Sequence, residues 1–394
     1  MLNVSNSRRN FIKQSAVVAS GSMLLPSFLR AAPSGEHPQR RLIVIQLSGG
    51  NDGLNTIIPF RNEILQEARP TILHNSKELI SVSDEFACNA SMKGFVNIYD
   101  QGDVCILNGV GYPNPNRSHF RSMDIWHSAS ASNVYINTGW LGRYLDSECS
   151  DEAPITAVEM GDRLSLALKG DQKKGVSLKS VTQYYNYAKS MEVEVGHDVD
   201  NQLVDFLYKT KSDVRSTAHY LYEKKKISKS KKNYPQTQFA NQLKEIAEMI
   251  NSGVSSPIYY ASLSGFDTHN AQQGRQGKLL GIYSNALKVF VDDLKASGKW
   301  DETLILTFSE FGRRVRENAS KGTDHGKANN VFVMGGKLKH KGFYNDLPSL
   351  EDLDDGDLKY TIDFRSIYAS ILDQWMNVHS RTILGGDLPR LDFI

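Results

Sequence analysis

The sequence predicts an α/β protein built on a mostly parallel sheet, and three stretches predict it. Arg41–Leu47 and Thr303–Phe308 are continuous apolar runs rich in β-branched residues, the pattern of strands buried on both faces. Each stops at a polar loop that carries an acid. Asp52 lies in Ser48-Gly49-Gly50-Asn51-Asp52-Gly53, and Glu310 in Ser309-Glu310-Phe311-Gly312. A third run, Pro257–Leu263, ends the same way, at Asp267 and His269. In a parallel sheet the carboxyl ends of the strands share one edge, and open α/β sheets place their ligands there.

A length of 394 residues suffices for one large domain or two ordinary ones. Hydrophobic content of 40% and charged content of 23% describe an ordinary globular chain. The net charge of +2 gives no reason to expect nucleic acid or an anionic membrane as a partner. Ser7-Arg8-Arg9-Asn10-Phe11-Ile12-Lys13 is a twin-arginine export pattern, followed by the apolar segment Ala16–Leu29 and the small pair Ala31-Ala32. That segment is too short, and too broken by Ser, Gly and Pro26, to make a stable membrane span. Residues 1–32 are therefore expected to be a signal peptide handled by the twin-arginine translocase, with a periplasmic or extracellular destination. Cys88, Cys105 and Cys149 form no CxxC pair and no zinc-type spacing, so one disulfide or three free thiols remain open.

Along the chain, Asp103–Val110 reads as another strand, running into the Pro/Asn-rich loop 111–118. Ser118 could cap a helix that starts near His119, where amide groups and the helix dipole favour a bound anion. Residues 150–236 show weak patterning and read as an insertion or cap, containing a helix near Asp200–Tyr222. The basic run Glu223–Lys232 has no interleaved aromatics, so it reads as a solvated helix end or loop. Gln238–Ile250 is an amphipathic helix with Leu243, Ile246, Ala247 and Ile250 on one face. Asp267 and His269 alternate, so an extended loop points both to one side. A helix follows from about Gly277 to Ala296. Gly322-Thr323-Asp324-His325-Gly326 adds two more ligand-type side chains among glycines that permit close approach. Lys327–Gly335 leads into a further short strand, and Asp363 and Arg365 read as a helix cap and its ion pair.

The segments LSGGNDGLNT, NRSHFRSMDIW, GFDTH, FSEFGRRVRENASKGTDHG and TIDFRSIYASILDQW occur in this order. Together they resemble the family called domain of unknown function 1501, related to the alkaline phosphatase and sulfatase superfamily, over about Arg41–Trp375. The resemblance implies an α/β/α sandwich around a mostly parallel sheet, spanning 38–394. It also implies roles. Asp52 matches the metal aspartate after the first strand, and Ser118 stands where superfamily enzymes carry the nucleophile. Asp267 and His269 resemble an Asp/His ligand pair, Glu310 stands for the acid of an Asp-His-Gly motif, and His325 looks like the late histidine ligand. With Asp324, these residues form the expected metal set. Arg313 or His119 would steady the ester oxygens. Two departures stand out. Phe311 occupies the place of a metal-binding histidine, and Asp267 and His269 are closer together than in the phosphatases. The divalent metal is therefore open between zinc and a harder, oxygen-rich site for Mg, Mn or Ca. The implied function is an exported metal-dependent hydrolase of a phosphate or sulfate ester, on a small molecule or glycan. The convergent acids favour it. Phe311 favours the alternative, a non-catalytic exported protein of the same fold that binds a partner or glycan.

Overall fold

Apolar side chains on both faces oblige Arg41–Ser48 (β1) to lie inside the sheet, with strands on either side. In the computed structural model, which describes residues 40–74, 78–149, 155–191 and 202–394, it lies near the middle of a nine-stranded sheet. The other strands are Val104–Gly111 (β2), Ala157–Met160 (β3), Val176–Leu178 (β4), Ile258–Ser264 (β5), Thr303–Phe308 (β6), Asn329–Gly335 (β7), Gly342–Phe343 (β8) and Ile362–Asp363 (β9). Their spatial order is β8-β2-β7-β6-β1-β5-β3-β4, with β9 also on β2. Among these strands β7 alone opposes its neighbours; every other pairing is parallel.

Successive side chains of β1 enter different layers. Ile43, Ile45 and Leu47 share a core with helices Lys93–Asp100, Gln238–Asn251 and Gln272–Ala296. Leu42 and Val44 share the other core with helices His119–Ser128, Trp140–Glu148 and Phe364–Ser370. The result is an α/β/α arrangement. In the second core, Trp126 stacks between Phe308 and Phe364, with ring centroids 4.8 and 4.2 Å away. This stack holds the His119–Ser128 helix against β6, which sets where its first turn can reach.

The expectation of an insertion or cap over 150–236 is corrected in part. Ala157–Met160 and Val176–Leu178 belong to the main sheet. At four and three residues they are too short to show a strand period in sequence. Helices Val181–Ser190 and Gln202–Ile227 pack on each other, with Tyr185 and Tyr222 stacked at 4.0 Å. Residues 150–154 and 192–201 of this region, and the export segment 1–32, lie outside the described residues. The basic run is a helix end and loop, anchored through Ser230, whose amide donates to Glu248 and whose hydroxyl donates to Asp293. All three cysteines are free thiols. Among the described residues no helix is long and apolar enough to cross a membrane.

Candidate metal centre

Loops after β1, β5 and β6 meet at the carboxyl edge of the sheet, and hydrogen bonds seam them together. Glu310 Oε1 accepts from the Gly49 amide at 2.8 Å. Ser309 Oγ accepts from the Asn51 amide and donates to the Leu47 carbonyl. Gly49 has φ +116°, and a Cβ there would stand 2.5 Å from the Asp267 amide nitrogen. Only glycine allows this contact and this backbone. The first loop therefore lies directly against the residue that becomes the focus of the site.

Four side chains converge over the seam. His119 comes from the first turn of its helix, Asp267 and His269 from the loop after β5, and His325 from the glycine-bounded loop before β7. Asp267 Oδ1 lies 3.0 Å from His269 Nε2, 3.1 Å from His325 Nε2 and 3.4 Å from His119 Nε2. The Nε2 atoms of His269 and His325 are 3.0 Å apart. Ligand atoms of His119, Asp267 and His325 all lie within 4.8 Å of one another.

The far nitrogen of each ring is also held. His119 Nδ1 bonds Glu310 Oε1 at 2.9 Å, His269 Nδ1 bonds Asp324 Oδ1 at 3.2 Å, and His325 Nδ1 bonds the Arg117 carbonyl at 2.8 Å. A carbonyl can only accept, so His325 carries its proton on Nδ1. When the ring is neutral, its Nε2 lone pair then faces both the Asp267 carboxylate and His269 Nε2. Such a meeting of lone pairs is repulsive unless a proton or a metal cation lies between them.

Burial and neighbouring charges act on these groups in opposite directions. Burial pushes His325 below the usual imidazole range. The hydrogen bond to Glu310 pulls His119 above it, despite partial burial. For Asp267, burial pushes the carboxyl up, but the Arg313 hydrogen bond and charge outweigh it and hold it well below the carboxylate range. The Asn318 hydrogen bond lowers Asp324.

The donor set fits a metal. Four ligands about 2.1 Å from a tetrahedral ion stand roughly 3.4 Å from one another. Asp267 Oδ1 stands 3.0 to 3.4 Å from the three Nε2 atoms, and the donors of His119, Asp267 and His325 lie close enough together to share one ion. His119 Nε2 is a buried ring nitrogen without a hydrogen-bond partner, 3.4 Å from Asp267 Oδ1, so it is available to a cation. Three imidazoles and one carboxylate suit Zn²⁺ better than Mg²⁺ or Ca²⁺, which favour all-oxygen sites.

Several expected roles change place. Glu310 is fully buried and bonds the far nitrogen of His119, and Asp324 bonds that of His269, so both stand behind imidazoles and outside the His119, Asp267 and His325 group. Asp52 is not gathered into the centre. Its buried carboxylate accepts from Arg69 at 2.8 Å, from Gln272 at 2.6 Å and from the Leu54 amide at 3.1 Å. Arg313 is corrected as a substrate contact. Its guanidinium is fully buried and donates to the carbonyls of Gly49, Gly50, Phe266 and Thr323 and to Asp267 Oδ1. His119, expected to steady ester oxygens, lies in the His/Asp/His group that could hold a metal ion. Ser118 is exposed at the helix start between Arg117 and His119, and its hydroxyl caps no amide. Phe311 packs against the rings of His119 and His325, centroids 4.9 and 4.5 Å away.

Arg69 was not singled out in the sequence, where it is one more arginine before Pro70. It is fully buried and ties Asp52 and Asn55 to the carbonyls of Arg314 and Val315. Arg69→Leu leaves a buried carboxylate without its cation, which typically costs about 3–5 kcal/mol. A clear fall in the urea or thermal midpoint is expected, partly recovered by adding Asp52→Asn, with metal content unchanged. Loss of metal at unchanged stability would return Asp52 to the centre.

A layered α/β/α chain that carries, among the described residues, a His/Asp/His group that could hold a metal ion is the class of protein that this fold and site define. The chain belongs to the family described as "Protein of unknown function (DUF1501)", whose pattern matches residues 39–386. Among solved structures it is similar to murine ectonucleotide pyrophosphatase/phosphodiesterase 5, with 9% identity, 89% of this chain and 96% of that chain covered, and a TM-score of 0.40. It is also similar to a sulfatase from Pseudoalteromonas sp., with 13% identity, 96% and 74% covered, and a TM-score of 0.39. A protein in the alkaline phosphatase superfamily from Vibrio parahaemolyticus matches with 9% identity, 90% and 70% covered, and a TM-score of 0.35. None of the curated proteins compared with the chain matches it.

Proposed function

We propose that the chain is an exported, metal-dependent hydrolase of a phosphate or sulfate ester, with one Zn²⁺ held by His119, Asp267, His269 and His325. The observation that carries this reading is the meeting of three imidazole Nε2 atoms at one carboxylate oxygen, each ring held from behind by an acceptor. When bound, the metal supplies Lewis-acid polarisation of the ester and lowers the pKa of a nearby hydroxyl or water. The chain supplies the rest. The first-turn amides of the His119–Ser128 helix face the anion. Ser118 Oγ attacks phosphorus or sulfur, its proton leaves with the released alcohol, and water then hydrolyses the serine ester. Residues 1–32 direct export as a folded protein through the twin-arginine pathway.

Chelation tests the reading. Dialysis against a strong chelator should abolish hydrolysis of aryl phosphate or aryl sulfate, and stoichiometric Zn²⁺ should restore it. Hydrolysis that survives full metal removal sinks the proposal. A protein that holds zinc tightly and cleaves nothing in a broad ester panel belongs to the binding-protein reading.

A further inference from the structure

We propose that the cleft beyond the ends of β3 and β4 binds an acidic, polyhydroxylated chain such as a sulfated or carboxylated oligosaccharide. The inference deepens the hydrolase reading and rests on it only in taking that chain to be the substrate.

The cleft has a volume of about 820 Å³. One wall is made where β3 and β4 stop, at Gly161–Asp162 and Lys179–Ser180. The other is the start of the Gln238–Asn251 helix, with lysines from the end of the Gln202–Ile227 helix and the loop after it. β3 pairs with β5, whose loop carries Asp267 and His269. The two strands are parallel, so the cleft opens at the same carboxyl edge of the sheet as the loop that carries the candidate metal centre. A chain-like ligand can lie along this edge with one ester at the centre.

The lining is positive and rich in amides. Its carboxylates are already engaged. Asp162 pairs with Lys179 at 2.6 Å, Glu245 pairs with Lys225 and accepts from the Val181 amide, and Glu248 accepts from the Ser230 amide. Lys229 and Lys244 line the cleft with no acidic partner within 4.0 Å among the described residues. Gln242 is 9% exposed. Its Nε2 donates to the Met160 carbonyl, which leaves Oε1 buried in the lining without a donor. A buried amide oxygen of this kind asks for a hydroxyl or N–H from a ligand. The Gln238–Asn251 helix begins here with no acid in its first turn; Thr237 caps its Ala240 amide, and the helix dipole at this end favours an anion. Among the described residues no aromatic side chain lines the cleft, which removes the stacking surface that a single-stranded nucleic acid would use.

The test is equilibrium binding of short dextran sulfate to the full chain at fixed salt, with neutral dextran as comparison. Wild type should bind the sulfated chain and not the neutral one. Lys229→Glu with Lys244→Glu should weaken binding about tenfold or more, while hydrolysis of a small aryl ester stays at the wild-type rate. Gln242→Leu should weaken it in the same direction. Lys337→Glu with Lys341→Glu, at the opposite edge of the sheet, should change it less than about twofold. Equal loss in both lysine pairs, no loss in the cleft pair, or equal binding of neutral dextran would each overturn the proposal. A wild type that cleaves no ester while the cleft pair still controls binding sinks the hydrolase reading and supports the cleft.

Discussion

Asp267→Ala is expected to leave a folded protein that no longer retains zinc through gel filtration. Asp267 Oδ1 is the point at which three imidazole nitrogens meet, and it is the negative charge among them. Loss of an outer hydrogen-bond partner alone typically weakens a metal site by about 10–100-fold, so loss of the carboxylate ligand should exceed the top of that range. The fold should hold, because the side chain is 48% exposed. Arg313 keeps its four backbone carbonyl acceptors when Asp267 is removed. Metal-to-protein ratio and melting temperature, measured on the same sample, check both halves. Wild-type zinc content in the variant would remove Asp267 from the centre.

Ser118→Ala should give the opposite pattern, with full zinc content and ester turnover lowered by about a thousandfold or more, as loss of a covalent nucleophile does. The substitution is clean in structural terms. The hydroxyl caps no amide and the residue is exposed, so neither the helix nor the core depends on it. Mass spectrometry of rapidly quenched wild type should show the phosphoryl or sulfuryl adduct on the peptide that contains Ser118. If Ser118→Ala stays active while Asp267→Ala is dead, water is the attacking group and Ser118 is only the residue before the helix.

The sheet was legible where strands are long and apolar. Arg41–Ser48 and Thr303–Phe308 announce themselves because both faces are buried, and their terminal acids mark the edge. Strand direction was not legible. Asn329–Gly335 shows the same apolar run whether it lies parallel or antiparallel, since burial does not depend on direction. Asp267, His269 and His325 were readable as ligand types by residue and spacing. Which carboxylate binds and which supports was not, because that depends on distant pairings. His119 and Glu310 meet across 191 residues, and Arg69 meets Asp52 only after the Gly312–Val315 segment folds over both.

The centre takes its donors from positions far apart in the chain; His269 and His325 alone are separated by 56 residues. No such donor set exists before folding, so a cation held there favours the native state over the unfolded one. At a thousandfold excess over the dissociation constant, that preference amounts to about 4 kcal/mol. In a compartment poor in zinc the same polypeptide would unfold more often and meet proteases more often. Its lifetime would then follow metal supply.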